Sequence, residues 1–103
     1  MTALDKYARL EGPGIWRAGP QDQRRDVVVA LGDASLVLSD ARSGLVLSHW
    51  SLPAVRRLNR GHIPALYSPD PDTDGEILET DDSLVIEALE TIRAALALSL
   101  IHI

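Results

Sequence analysis

Residues 70–81 read DPDTDGEILETD, and the chemistry that this spacing offers is divalent-cation binding. Asp70, Asp72 and Asp74 alternate, Gly75 follows, and Asp81 stands where a calcium loop of this length places its last ligand. Such a loop needs a helix on each side to aim its carboxylates at one point. Pro64 and Pro69 forbid the entering helix, and EILET (76–80) reads as a strand where the leaving helix should begin. Asp81 also reaches less far than the bidentate Glu usual at the closing position. The expectation is therefore a solvent-exposed acidic turn without a structural metal, in which Asp74-Gly75 supplies the positive-φ position joining ALY (65–67) to EILET as a hairpin. Its six carboxylates, Asp70, Asp72, Asp74, Glu76, Glu79 and Asp81, should repel one another and keep the segment extended and mobile. A cation would be held there no more tightly than about 10⁻⁴ M.

Three histidines could serve as bases or metal ligands, but His49, His62 and His102 fall at no ligand spacing. No nucleophile elbow marks a serine, and GPG (12–14) and RSG (42–44) lack the spacing of a phosphate cradle. A Ser-His-Asp site dispersed along the chain is the one enzymatic alternative left. The remaining chemistry is positive charge in loops. Arg17, Arg24 and Arg25 bracket the first turn, and Arg56, Arg57 and Arg60 form a second cluster, read as solvated charge. At about 1 kcal/mol per cation, three arginines give roughly 3 kcal/mol at an anionic membrane, less than the ~4 kcal/mol of a millimolar complex. An anionic membrane is thus a weak surface for this chain.

The chain has 103 residues, room for one core and no second domain. Apolar residues make up 46% but aromatics only 4%, with no Phe, so aliphatic side chains and the anchors Trp16 and Trp50 must supply the burial. There is no Cys, which removes disulfides and thiolate chemistry and fits a reducing cytoplasm. A net charge of −5 argues against a nucleic-acid partner. Nine Arg against one Lys, with abundant Ala, Leu and Asp, suggests a bacterium with a GC-rich genome. No signal peptide is visible, and no run reaches the ~20 apolar residues of a spanning helix. Residues 94–103 carry no Asp, Glu, Lys or Arg, and read as a helix tail or the start of a longer segment.

Periodicity supplies the elements. GPG at 12–14 is read as a break, after which IWRAG (15–19) forms the first strand and PQDQRR (20–25) a polar loop. Two hairpins centre on Gly32-Asp33 and Ser43-Gly44, giving three meander strands. In the third, alternation places Val46, Ser48, Trp50 and Leu52 on the core face and Leu45, Leu47, His49 and Ser51 outside. Pro53 should end that strand before AVRRLN (54–59) resumes. From Asp82 the period changes: Val85, Leu89, Ile92 and Leu96, with Ala88 and Ala95, make one helical stripe over about 82–98, while Glu87, Glu90 and Arg93 face away. Asp81, Asp82 or Ser83 caps it.

Six or seven short antiparallel strands followed by one helix, introduced by EILETDDSLVIEALETIRAAL (76–96), resemble the pleckstrin-homology-like fold over roughly residues 8–98. The resemblance implies an α+β domain in which a curved sheet or partly open barrel is capped by the C-terminal helix. It further implies a non-catalytic binding module without a cofactor. In lipid-binding members the first two strands and their connection hold inositol phosphates, and the matching residues here are Arg17, Arg24 and Arg25. Position 27 onward is apolar where those members are basic, which turns the expectation toward a protein or peptide ligand. Self-association through an open strand edge is a further expectation.

Overall fold

The computed structural model describes residues 10–32, 34–70 and 75–101, with side chains to residue 96. Seven strands precede one helix: β1 Glu11–Arg17, β2 Arg25–Leu31, β3 Ser35–Asp40, β4 Val46–Ser51, β5 Arg56–Arg57, β6 Ala65–Ser68, β7 Ile77–Thr80 and α1 Ser83–Ile101. They form a single antiparallel sheet in the order β4-β3-β2-β1-β7-β6-β5, so β4 and β5 are its free edges. The sheet curls into a half-barrel and α1 plugs it. Pro53 ends β4, as the sequence predicts, by opening a 3-10 turn at Leu52–Ala54.

Alternation dictates the core. Val27, Val29 and Leu31 of β2, Leu36 and Leu38 of β3, Trp50 of β4, Tyr67 of β6 and Leu78 of β7 point inward and are buried. From the helix come Val85, Ala88, Leu89 and Ile92, with Leu96 packed at the margin, the stripe that the 3.6-residue period predicts. Each large aliphatic member adds roughly 1.5–3 kcal/mol of burial. Among the candidate caps the structure selects Asp82, whose Oδ1 accepts the Val85 amide at 3.0 Å.

Four expectations are corrected. The GPG triplet does not break the chain: β1 runs through it, pairing Glu11 with Ala30 and Trp16 with Arg25 across β2. Pro13 is tolerated because β7 pairs only with Ile15–Arg17, so no ladder bond is lost on that side, and the Pro13 carbonyl accepts the Thr80 hydroxyl at 3.0 Å. Gly12 is needed because a Cβ there would collide with Val85 Cγ2 of the helix.

The second correction concerns β4. Leu38 pairs with Ser48 and Ser39 with Val46, so Leu47 is an unpaired bulge residue. The bulge shifts the alternation: Val46 is 58% exposed and Leu47 packs against the core. Third, Glu90 and Arg93 do not simply face away. Glu90 Oε2 accepts the Tyr67 hydroxyl at 2.8 Å, and Arg93 Nε donates to the Val55 carbonyl at 2.9 Å. Burial and the Glu90 hydrogen bond hold the Tyr67 phenol well above its usual range. Arg57 is likewise not solvated: its side chain is 6% exposed, lies over the Tyr67 ring at 5.5 Å, and pairs with Glu90 at 3.6 Å.

The fourth correction is the acidic stretch. Beyond Gly44 and Gly61, where φ is positive, the Asp74-Gly75 turn expected to join β6 and β7 rests on residue 74, outside the described residues, while β6 and β7 themselves pair antiparallel, as that hairpin requires. Asp72 and Asp74 lie outside the described residues, as does His102. The carboxyls of Glu76 and Glu79 are not mutually repelling free charges, since both are engaged by side chains described below.

Candidate ligand cleft

Two of the three sequence-predicted arginines come together at one end of the sheet. Arg25 opens β2, and Arg24 precedes it in the β1–β2 connection, which turns back through an Asp22 amide bond to the Gly19 carbonyl at 3.1 Å. Facing them is the β3–β4 turn. Asp40 builds that turn, its Oδ1 accepting the amides of Arg42 at 2.8 Å and Ser43 at 2.9 Å, while Gly44 adopts φ +77. The result is a cleft of about 340 Å³ lined by Gln23, Arg24, Arg25, Asp26, Asp40 and Arg42. Arg17 is not among its lining residues.

The charges in this cleft are balanced. Arg24 pairs with Glu79 at 2.7 Å and Arg25 with Asp40 at 3.9 Å. The Ser43 and Arg42 amides, with the Arg25 charge, hold the Asp40 carboxyl below the usual carboxylate range. Three cations therefore face three carboxylates, Asp26, Asp40 and Glu79.

A second cleft of about 310 Å³ adjoins the first, sharing Gln23 and Arg25 and adding the apolar side chains of Trp16, Ala18 and Leu47. Leu47 reaches it because the β4 bulge turns it from the outer face. Trp16 is fixed from behind by Glu76, whose Oε1 accepts the indole Nε1–H of Trp16 at 3.0 Å and of Trp50 at 3.1 Å. The Ser48 hydroxyl donates to the same oxygen and accepts from Trp50 Nε1 at 3.0 Å. One carboxyl oxygen thus ties the start of β7 to β1 and β4 across the curl of the sheet. His49 and His62, both exposed, sit on β4 and the β5–β6 connection. Sequence spacing does not point to Arg42 or Glu76. Arg42 stands in the D-A-R-S-G turn, and that turn faces the first loop only once β2 and β3 pair.

No family model matches the chain, and no curated protein is significantly similar to it. Solved structures do match. The structure of Vav1 inhibited by an allosteric inhibitor, one of the inhibitors that block its GEF activity, superposes with a TM-score of 0.58 at 16% identity over 90% of this chain. The apo structure of an activated Vav1 truncation superposes with a TM-score of 0.59 at 13% identity over 92%. The fold is pleckstrin-homology-like. This chain spans 28% of the length of either Vav1 chain, and the PH-like likeness at this identity is one of fold. No helix among the described residues is long and apolar enough to cross a membrane.

Proposed function

We propose that the chain is a non-catalytic PH-like binding module, one domain acting in the cytoplasm, that recognises a protein or peptide segment bearing an acidic side chain next to an apolar one. The observation that carries this reading is the pair of adjoining clefts sharing Gln23 and Arg25, one lined by Arg24, Arg25 and Arg42, the other floored by Trp16 and Leu47. A single carboxylate can displace Asp40 from Arg25, which it holds only at 3.9 Å, while an apolar neighbour covers Trp16. An inositol polyphosphate is less well matched, because three carboxylates already offset the three arginines and leave little net field for a dense anion. The free edge of β4 adds main-chain groups along which such a segment can extend.

Selection from a random-peptide display library tests this reading. Enriched sequences should combine Asp or Glu with Leu, Ile or an aromatic residue, and the Arg25→Glu substitution should lower their affinity at least tenfold, about 1.4 kcal/mol. Enrichment without an acidic residue, or tight binding to polyphosphoinositide vesicles instead, would overturn it.

A further inference from the structure

The β5–β6 connection and the outer face of the sheet meet at Pro64 and form a surface of two opposite halves. On one side, Asn59 holds the connection rigid: its Oδ1 accepts the Leu66 amide at 2.8 Å and Arg57 Nε at 3.2 Å, and its Nδ2 donates to the Pro64 carbonyl at 2.8 Å. Arg57 Nη2 adds a bond to the His62 carbonyl at 2.8 Å. So built, the loop cannot fold its apolar residues back, and Ile63 stands 65% exposed in the same connection as exposed Arg60. On the other side of Pro64 is a cleft of about 250 Å³ with Pro13 and Ile15 as its apolar part and Asp26, Glu79 and Asp81 as its acidic part. Register explains the grouping, because Ile15 lies directly opposite both Asp26 of β2 and Glu79 of β7. Asp26, Asp81, Arg56 and Arg60 are exposed, and none is held by a side-chain hydrogen bond or ion pair among the described residues.

We infer that this surface is an isologous interface with a second copy of the chain, in which Ile63 of each copy enters the Pro13–Ile15 cleft of the other and Arg60 of each faces Asp81 and Asp26 of the other. A two-fold contact pairs unlike halves twice, which is what a patch with an apolar centre, one acidic flank and one basic flank requires. Other occupants fit only half of it. An anionic membrane or acidic segment attracted by Arg56 and Arg60 is repelled by Asp26 and Asp81, and a basic segment meets the reverse conflict. The contact is linked to the ligand cleft only through the shared lining residue Asp26 and the Glu79–Arg24 ion pair, and its pairing of Arg60 with Asp81 does not depend on what that cleft binds.

Sedimentation velocity on the full chain at low salt, from roughly 10 µM to 1 mM, should show a monomer–dimer equilibrium with a dissociation constant on the order of 10⁻⁵ to 10⁻⁴ M, as for a small interface. Ile63→Glu should weaken it at least tenfold with an unchanged melting temperature, since the residue is exposed. Arg60→Glu and Asp81→Arg should each weaken it, and mixing these two variants should restore much of the dimer, because both contacts between positions 60 and 81 again pair opposite charges. A chain monomeric throughout that range, self-association indifferent to Ile63→Glu, loss of dimers only on Val46→Lys at the β4 edge, or failure of the mixed variants to associate would each overturn the inference.

Discussion

Glu76 braces the cleft from behind, through Trp16. Its Oε1 is the shared acceptor for two indoles and a hydroxyl, two of them from β4 and one from β1. Glu76→Ala leaves the largely buried Trp16 donor without its partner and should cost about 2 kcal/mol, read as a lower urea midpoint with an unchanged slope. Glu76→Gln keeps a carbonyl acceptor and should recover part of that loss. The same variant should shift tryptophan emission, since Trp16 and Trp50 are the only two in the chain. At Asp40 the prediction concerns pH. Its carboxyl is held below the ordinary value by the turn amides, so the stability it contributes is present above the unfolded value near 3.8 and is lost as pH falls through the lower folded value. Asp40→Asn should therefore flatten the part of the acid-unfolding curve below about pH 4, and an identical curve would contradict that role. Glu76 and Asp40 were poorly legible in the sequence for one reason: each acts through partners that only turn geometry or strand pairing brings near.

At the level of elements, what was legible followed from period and proline. The helix stripe and the stop at Pro53 are local signals, and both elements appear where the residues place them. The GPG triplet misled because glycine and proline usually punctuate, whereas here the glycines allow close approach. Gly12 sits under Val85, so Gly12→Ala should destabilise the chain by about 1–3 kcal/mol through the collision with Val85 Cγ2. Val85→Ala alone opens a void and should also destabilise. The double variant should cost less than the sum of the two single costs, which a double-mutant cycle by chemical denaturation would detect. Full additivity would show that the two residues do not press on one another. The bulge at Leu47 was invisible for the opposite reason. Nothing in VLSHW marks an extra residue, and only the pairing of Ser39 with Val46 reveals it. That bulge carries Leu47 into the cleft beside Trp16.

For the whole molecule, the change from two-residue to 3.6-residue periodicity marked strands followed by one helix, the resemblance to the pleckstrin-homology-like fold implied that a curved sheet is capped by that helix, and the superposition on Vav1 bears out that architecture. The candidate cleft was half legible. Arg24 and Arg25 are neighbours in sequence and remain together, whereas Arg42 and Leu47 join them through the β2–β3–β4 meander, and Arg17 does not line the cleft. Charge balance is also a property of the assembled sheet, because Glu79 reaches Arg24 from 55 residues away. The central claim is that these adjoining clefts form the recognition site for an acidic–apolar segment. Its most direct test is a ¹⁵N–¹H correlation titration with a peptide recovered by display. The account predicts shifts concentrated at the Trp16 indole and at the amides of Gln23, Arg25, Arg42 and Leu47, and their disappearance in Arg25→Glu. Shifts confined to the β5–β6 connection or to the helix, with the Trp16 indole unmoved, would contradict it.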